Sequence, residues 1–229
     1  MGPVTIVIGD QEHQRRLRRK VLGLLCFVAT RPGMACTRDE ALDAIWPDLG
    51  PDTAANSLHQ TIFYLRRVFE PTFKEGVSAG YLEFDGDVLA LDKSLVDAES
   101  LRCWRLVAGA RRGESAAVEE LVAIYRGTYA LDFAYEDWAA NYRESLHAAV
   151  LGVVEAEARG ATRDGHPERA IALAQRVLAI DPAADAIELE LLKAYKAGGW
   201  HSAAAEQYAH YAAYVRGELG AEPLRFRDI

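Results

Sequence analysis

Apolar residues in the first third of the chain recur at helical spacing. From Arg15 onward, Leu17, Val21, Leu24, Leu25 and Val28 mark one face, as a period of 3.6 residues requires. Arg31-Pro32-Gly33 closes that helix. Thr37-Arg38-Asp39-Glu40 then reads as a capping box, the Thr37 hydroxyl accepting from the Glu40 N–H and the Glu40 carboxylate reaching back. The short helix that follows turns Ala41, Leu42, Ile45 and Trp46 inward and stops at Pro47. After a polar turn, Asp52 is placed to cap a third helix. Leu58, Ile62, Leu65 and Phe69 give this helix a core stripe.

Beyond Pro71 the period changes. Tyr81 to Phe84, Asp85-Gly86 and Asp87 to Leu91 read as strand, turn and strand, since Asp-Gly between alternating apolar residues signals a hairpin. Residues 4–8, VTIVI, read as a short strand ahead of the first helix. Three helices plus a β-hairpin make a winged helix, expected over residues 1–95.

Residues 96–229 read as almost entirely helical, with spans near 97–111, 114–126, 135–163, 167–180, 184–197 and 201–218. Gly165 and Gly199 lie 34 residues apart, as do Ala170 and Ala204, and Asp181-Pro182 ends a helix between them. That period with small residues in the first helix is the tetratricopeptide signature. Tyr208 stands where the repeat would place a partner for Ala174, so the match is partial. The fold class expected is mainly α: a winged helix followed by an all-α, TPR-like helical-repeat domain. Trp104, Tyr125, Trp138, Tyr142 and Leu146 fall at helical spacings that suit its core.

Composition adds limits. Half of the 229 residues are hydrophobic and 26% are charged, ordinary values for a soluble domain. The longest apolar run, Val21 to Ala29, is too short for a bilayer. The opening residues have no basic segment ahead of an apolar one, as a secretion signal needs. A myristoylation reading of Gly2 fails because position 6 is Ile. A cytoplasmic location without membrane contact is expected. The net charge is −8, with 11 Lys and Arg against 15 Asp and Glu in residues 1–100 and 15 against 19 in the rest. DNA-binding domains are usually basic, so this balance weighs against duplex binding.

The sequence carries no recognisable catalytic pattern. There is no GxxxxGK[ST], HExxH or GxSxG pattern, and the six His residues are dispersed. Cys26, Cys36 and Cys103 lie too far apart for a metal site and read as buried reduced thiols. The expectation is a non-enzymatic protein with no cofactor and no metal.

Several stretches carry a family resemblance. Asn56 to Phe69, NSLHQTIFYLRRVF, resembles the recognition helix of OmpR-type winged helices, and Asp39 to Pro47, DEALDAIWP, resembles the matching segment of SARP-type antibiotic regulatory activators. Gly80-Tyr81 falls where that family opens its last wing strand. Leu121 to Gly127, Glu136-Asp137-Trp138-Ala139, the two repeats and Glu218 to Pro223 resemble the bacterial transcriptional activator domain that follows in the same family. The resemblance implies an activator that binds double-stranded DNA and contacts RNA polymerase or another protein subunit, with homo-oligomerisation as a further expectation. The same pair of modules also occurs attached to large ATPase regulators, so this chain also reads as a piece of a longer protein. Three departures stand out: Phe63 and Tyr64 occupy positions often polar or basic, Val77-Ser78-Ala79 lacks Arg, and most N-terminal strands are missing.

With Leu58, Ile62 and Leu65 inward, the third helix turns His59, Gln60, Phe63, Arg66 and Arg67 outward. Asn56, His59, Gln60, Arg66 and Arg67 are the candidate DNA contacts, and Thr37 with Arg38 is a candidate phosphate site at a helix start. A solvated helix face is the plain alternative. Phe63 and Tyr64 read either as a protein-binding pair or as core. Trp200, Tyr208 and Tyr211, near the end of the repeats, carry the same two readings. The run Arg15-Arg16-Leu17-Arg18-Arg19-Lys20 suits phosphates, an acidic partner or a solvated first turn. Two functions stand: a DNA-reading activator, and an interaction module whose winged helix binds protein instead.

Overall fold

A computed structural model describes residues 2–9, 11–12, 17–74, 77–78, 80–218 and 220–229. Arg15 and Arg16 of the basic run and Ala79 before the wing lie outside these residues. Among the described residues the element order is β1 (Val7–Ile8), β2 (Gln11–Glu12), α1 (Arg19–Thr30), β3 (Ala35–Thr37), α2 (Arg38–Ile45), α3 (Pro51–Phe69), β4 (Leu82–Asp85), β5 (Val88–Leu91), α4 (Glu99–Arg111), α5 (Ser115–Ile124), α6 (Asp137–Arg163), α7 (Pro167–Leu178), α8 (Asp185–Ala197) and α9 (His201–Glu218). The mainly α fold read from the sequence is the fold observed.

The chain divides into two compact units, Met1–Arg102 with Thr128–Leu146, and Cys103–Gly127 with His147–Ile229. Neither unit is continuous in sequence. The first unit takes back residues 128–146 because Phe133 and Trp138 need an apolar partner, and Phe27 of α1 supplies one. The Phe27 and Trp138 rings meet edge to face at 5.8 Å. Arg19 fastens the same segment, donating from Nη1 to the Asp132 carbonyl at 2.8 Å and pairing with Glu136 at 3.0 Å. Arg143 donates back to the carbonyls of Tyr129 and Phe133.

The core of the first unit is the meeting of three helices. Val21, Leu24 and Val28 from α1, Ala41 and Ile45 from α2, and Leu58, Ile62 and Leu65 from α3 are all buried together. Leu82, Leu89 and Leu91 of the wing close the same cluster. The sheet has the order β3-β5-β4 and is antiparallel throughout. β3 was not expected. Three residues, Ala-Cys-Thr, are too few to show a period of two, and only their pairing with Ala90, Leu89 and Val88 makes them a strand. The wing loop is Gly86-Asp87, one residue later than the Asp-Gly reading, because Asp85 pairs with Val88. Gly86 has φ 59°, the sign a II′ loop needs at its first position. Within residues 4–8 only Val7–Ile8 is strand, paired with β2.

The second unit stacks its helices in hairpins. Ala158, Ala161, Ala170 and Ala194 form one buried seam, and such small residues let backbones approach closely. Gly165 and Gly199 both have positive φ, 84° and 77°, so the turns that start α7 and α9 are conformational equivalents. Ala170 and Ala204 are both fully buried. The 34-residue period is thus a period of structure. After α9, residues 220–229 fold back on the last hairpin: Ile229 packs on Leu192, Tyr211 and Val215, and the Lys196 ammonium donates to the Phe226 carbonyl at 3.1 Å.

Candidate nucleic-acid interface

The candidate site is the outward face of α3. Pro51 at the first helical position starts this helix, behind Gly50, and its missing N–H costs nothing there. Asp52 makes no capping hydrogen bond, contrary to expectation. With Ala54, Leu58, Thr61, Ile62 and Leu65 buried, helical geometry places Asn56, His59, Gln60, Phe63 and Arg67 in one exposed line, with Tyr64 beside it.

Each of these side chains has a definite surrounding. The Phe63 ring is 51% exposed and Tyr64 45%, which removes the core reading for both. The Arg67 guanidinium lies over the Phe63 ring, 4.7 Å from its centroid, and Arg18 lies over Tyr64 at 5.5 Å. Such pairs hold a cation and a ring together without removing either from solvent. His59 meets Phe84 of the wing edge to face at 5.5 Å, so helix and wing share one surface. Asn56 and Gln60 are exposed between them.

Arg66 is different. It is half-buried, its Nε donates to the Leu82 carbonyl at 3.2 Å, and its guanidinium covers the Phe73 ring at 5.3 Å. It ties α3 to the first wing strand. Its neighbour Arg67 points outward because a helix turns 100° per residue.

The start of α2 is also committed. The Thr37 hydroxyl accepts from the Glu40 N–H at 3.2 Å, and the Thr37 N–H donates to the Glu40 carboxylate at 2.7 Å. The Arg38 N–H donates to the Asp87 carbonyl at 2.7 Å. The N–H groups of residues 37, 38 and 40 are therefore not open to a phosphate, and the Glu40 carboxylate stands where an anion would bind. Arg38 is half-buried against this turn. Asp85 and Asp87 give the wing tip two exposed acids.

In the second unit the expected aromatic surface is smaller than the sequence implied. Tyr211 is only 7% exposed and packs with Leu192 and Val215. The apolar seam of α8 and α9 claims it, a correction to its reading as a partner contact. Tyr208 is half-buried, its hydroxyl donating to the Leu224 carbonyl at 2.9 Å and its ring 5.1 Å from Phe226. The returning tail covers both, and no periodic signal in the sequence announces that tail. Trp200 remains 39% exposed.

One partly buried polar line invites a catalytic reading. The Tyr125 hydroxyl is 2.6 Å from His147 Nδ1, and His147 Nε2 is 2.9 Å from Asp181 Oδ2. Tyr125 is buried, and desolvation pushes its phenol well above the usual range. The line joins the end of α5, α6 and the turn after α7, and it serves as an internal brace. Among the described residues no group of three or more His, Cys, Asp or Glu is placed to hold a metal ion. None of the helices described is long and apolar enough to cross a membrane.

A three-stranded wing packed on three helices, with the third helix facing outward, defines the winged-helix regulators, here joined to TPR-like hairpins. The model of the bacterial transcriptional activator domain family matches residues 93–225. The chain belongs to that family. Among solved structures it is similar to Mycobacterium tuberculosis EmbR in complex with a low affinity phosphopeptide, with a TM-score of 0.69 and 17% sequence identity. That match covers 98% of this chain and 61% of the EmbR chain, so the chain spans less than two thirds of its structural relative. No curated protein matches it by sequence.

Proposed function

We propose that this transcriptional activator reads duplex DNA with α3 in the major groove, while its second unit contacts RNA polymerase or another protein subunit. The observation that carries the proposal is the exposed line of Asn56, His59, Gln60 and Arg67 on a winged helix whose buried face is complete. An amide offers one donor and one acceptor, and a guanidinium offers paired donors, which complement the base edges of the major groove. Arg18 adds an exposed cation beside the helix. The net charge of −8 makes random duplex a poor ligand, so base contacts must supply most of the affinity.

The test is selection from a random duplex pool at low and at physiological salt, followed by sequencing of what is retained. The expected result is one enriched motif with a salt slope of about 0.9 per phosphate contacted. Retention of no duplex at low salt overturns the proposal.

A second reading is favoured by the exposed aromatic pair Phe63 and Tyr64 and by the acidic wing tip: the α3 face binds protein. Aromatic residues are enriched at protein interfaces. That association would respond weakly to salt, and Phe63→Ser would abolish it in a chain that still folds.

A further inference from the structure

Phe63 is an odd residue to leave in water. It stands at the centre of the exposed line on α3, with His59 and Gln60 one turn before it and Arg67 one turn after it. Its ring is half-exposed, yet it is held in place by the Arg67 guanidinium 4.7 Å above it and by the edge of Tyr64 at 6.1 Å. A rigid apolar plate next to a forked donor is a pairing that one base step can satisfy. In the major groove, guanine offers two acceptors to a guanidinium, and thymine is the one standard base with an apolar group, its 5-methyl.

We propose that Phe63 is a specificity-determining residue that reads the methyl group of a thymine flanking a guanine bound by Arg67. This rests on the DNA-reading function proposed above. The contact between the two side chains sets the spacing. The guanidinium carbon and the ring centroid lie 4.7 Å apart, less than two base-pair steps of roughly 3.4 Å each. The guanine and the thymine therefore occupy adjacent pairs. Tyr64 does not compete for the role, because it lies to one side of the exposed line. The aromatic residue that departs from the polar pattern of related helices becomes a base reader in this account.

The experiment uses the full chain and the duplex enriched by selection. Each thymine is replaced in turn by uracil, which removes one methyl group and leaves base pairing unchanged. Binding is measured by fluorescence anisotropy for the wild type, for Phe63→Ala and for Phe63→Leu. The expected result is a thymine beside a guanine whose replacement weakens wild-type binding about four-fold, the effect of one buried methyl. Phe63→Ala should bind the thymine and uracil duplexes equally, and Phe63→Leu should keep part of the discrimination. Circular dichroism confirms that each variant is folded. Indifference of the wild type to uracil at every position overturns the inference while leaving DNA reading intact, as does full discrimination by Phe63→Ala. Failure to enrich any duplex overturns the DNA-reading function and this inference with it.

Discussion

Thr37 and Glu40 satisfy each other. The Thr37 N–H donates to the Glu40 carboxylate at 2.7 Å while the Thr37 hydroxyl accepts from the Glu40 N–H at 3.2 Å. An eight-residue helix such as α2 has little stability of its own, so its start depends on this exchange. Thr37→Ala is expected to lower the stability of the first unit by about 1 kcal/mol, read from the midpoint of urea unfolding. The Thr37 backbone N–H, and after it the Thr37 hydroxyl, hold the Glu40 carboxyl below its usual range. A carboxyl depressed in the folded state stabilises it above the unfolded pKa, and the contribution is lost as pH falls through the folded value. Glu40→Gln should therefore flatten the loss of stability between neutral pH and the acid side of the carboxylate range. An unchanged acid slope would show that the capping box does not titrate with folding.

The core of α3 can be separated from its outer face. Leu58 is fully buried, and Leu58→Ala should cost about 2–5 kcal/mol through lost burial and the cavity left behind. Gln60, two residues on and exposed, should tolerate Ala within about 0.5 kcal/mol. Equal losses from both variants, measured by thermal unfolding, would contradict the helix orientation.

The outer face should respond in binding instead. Arg67→Ala or Gln60→Ala is expected to weaken the selected duplex by about 1–3 kcal/mol if the residue touches a base. Arg66→Ala should act mainly on stability, because Arg66 is spent on the Leu82 carbonyl and the Phe73 ring. Full affinity in both the Arg67 and Gln60 variants removes α3 from the groove.

The two repeat turns give a paired test. Gly165 and Gly199 have left-handed backbone and open space around the missing Cβ. Ala at either position should cost about 1–2 kcal/mol, purely from backbone conformation. Gly198 differs, for a Cβ there would sit 2.0 Å from the Trp200 ring. Gly198→Ala must displace that ring, and a shift in tryptophan fluorescence is the expected sign. Silence of all three substitutions would mean the turns are not built as described.

The thiols of the first unit should be slow to react. Burial pushes Cys26 up to about 12 and Cys36 up to about 11, and the thiolate is the reacting form. Iodoacetamide at pH 8 should label both far more slowly in the folded protein than in urea. Rapid labelling of the native chain would show that α1 and β3 open readily.

Much of this was legible along the chain because the signals are local. The capping box of α2 lies within four residues, and the stripe of Leu58, Ile62 and Leu65 repeats at the helical period. The 34-residue spacing of Gly165 and Gly199 reports the same turn twice. Where a signal was only local, it also misled. Asp52 has the right side chain to cap α3, yet Gly50 and Pro51 already start the helix. Asp-Gly marked the wing turn, yet cross-strand pairing moved it by one residue.

By itself, then, the sequence determined which segments are helices, where the wing lies, which face of α3 turns outward and that the C-terminal helices repeat. Each follows from periodicity, caps and turn residues, which act over a few neighbours. Tertiary structure alone decided that residues 128–146 join the first unit through Phe133 and Trp138. It alone made β3 a strand, spent the Arg38 N–H on the Asp87 carbonyl and Arg66 on the Leu82 carbonyl, and buried Tyr211 beneath a returning tail. Those outcomes depend on apolar surface and hydrogen-bond partners meeting across roughly a hundred residues or between separate turns. No short-range pattern records such meetings.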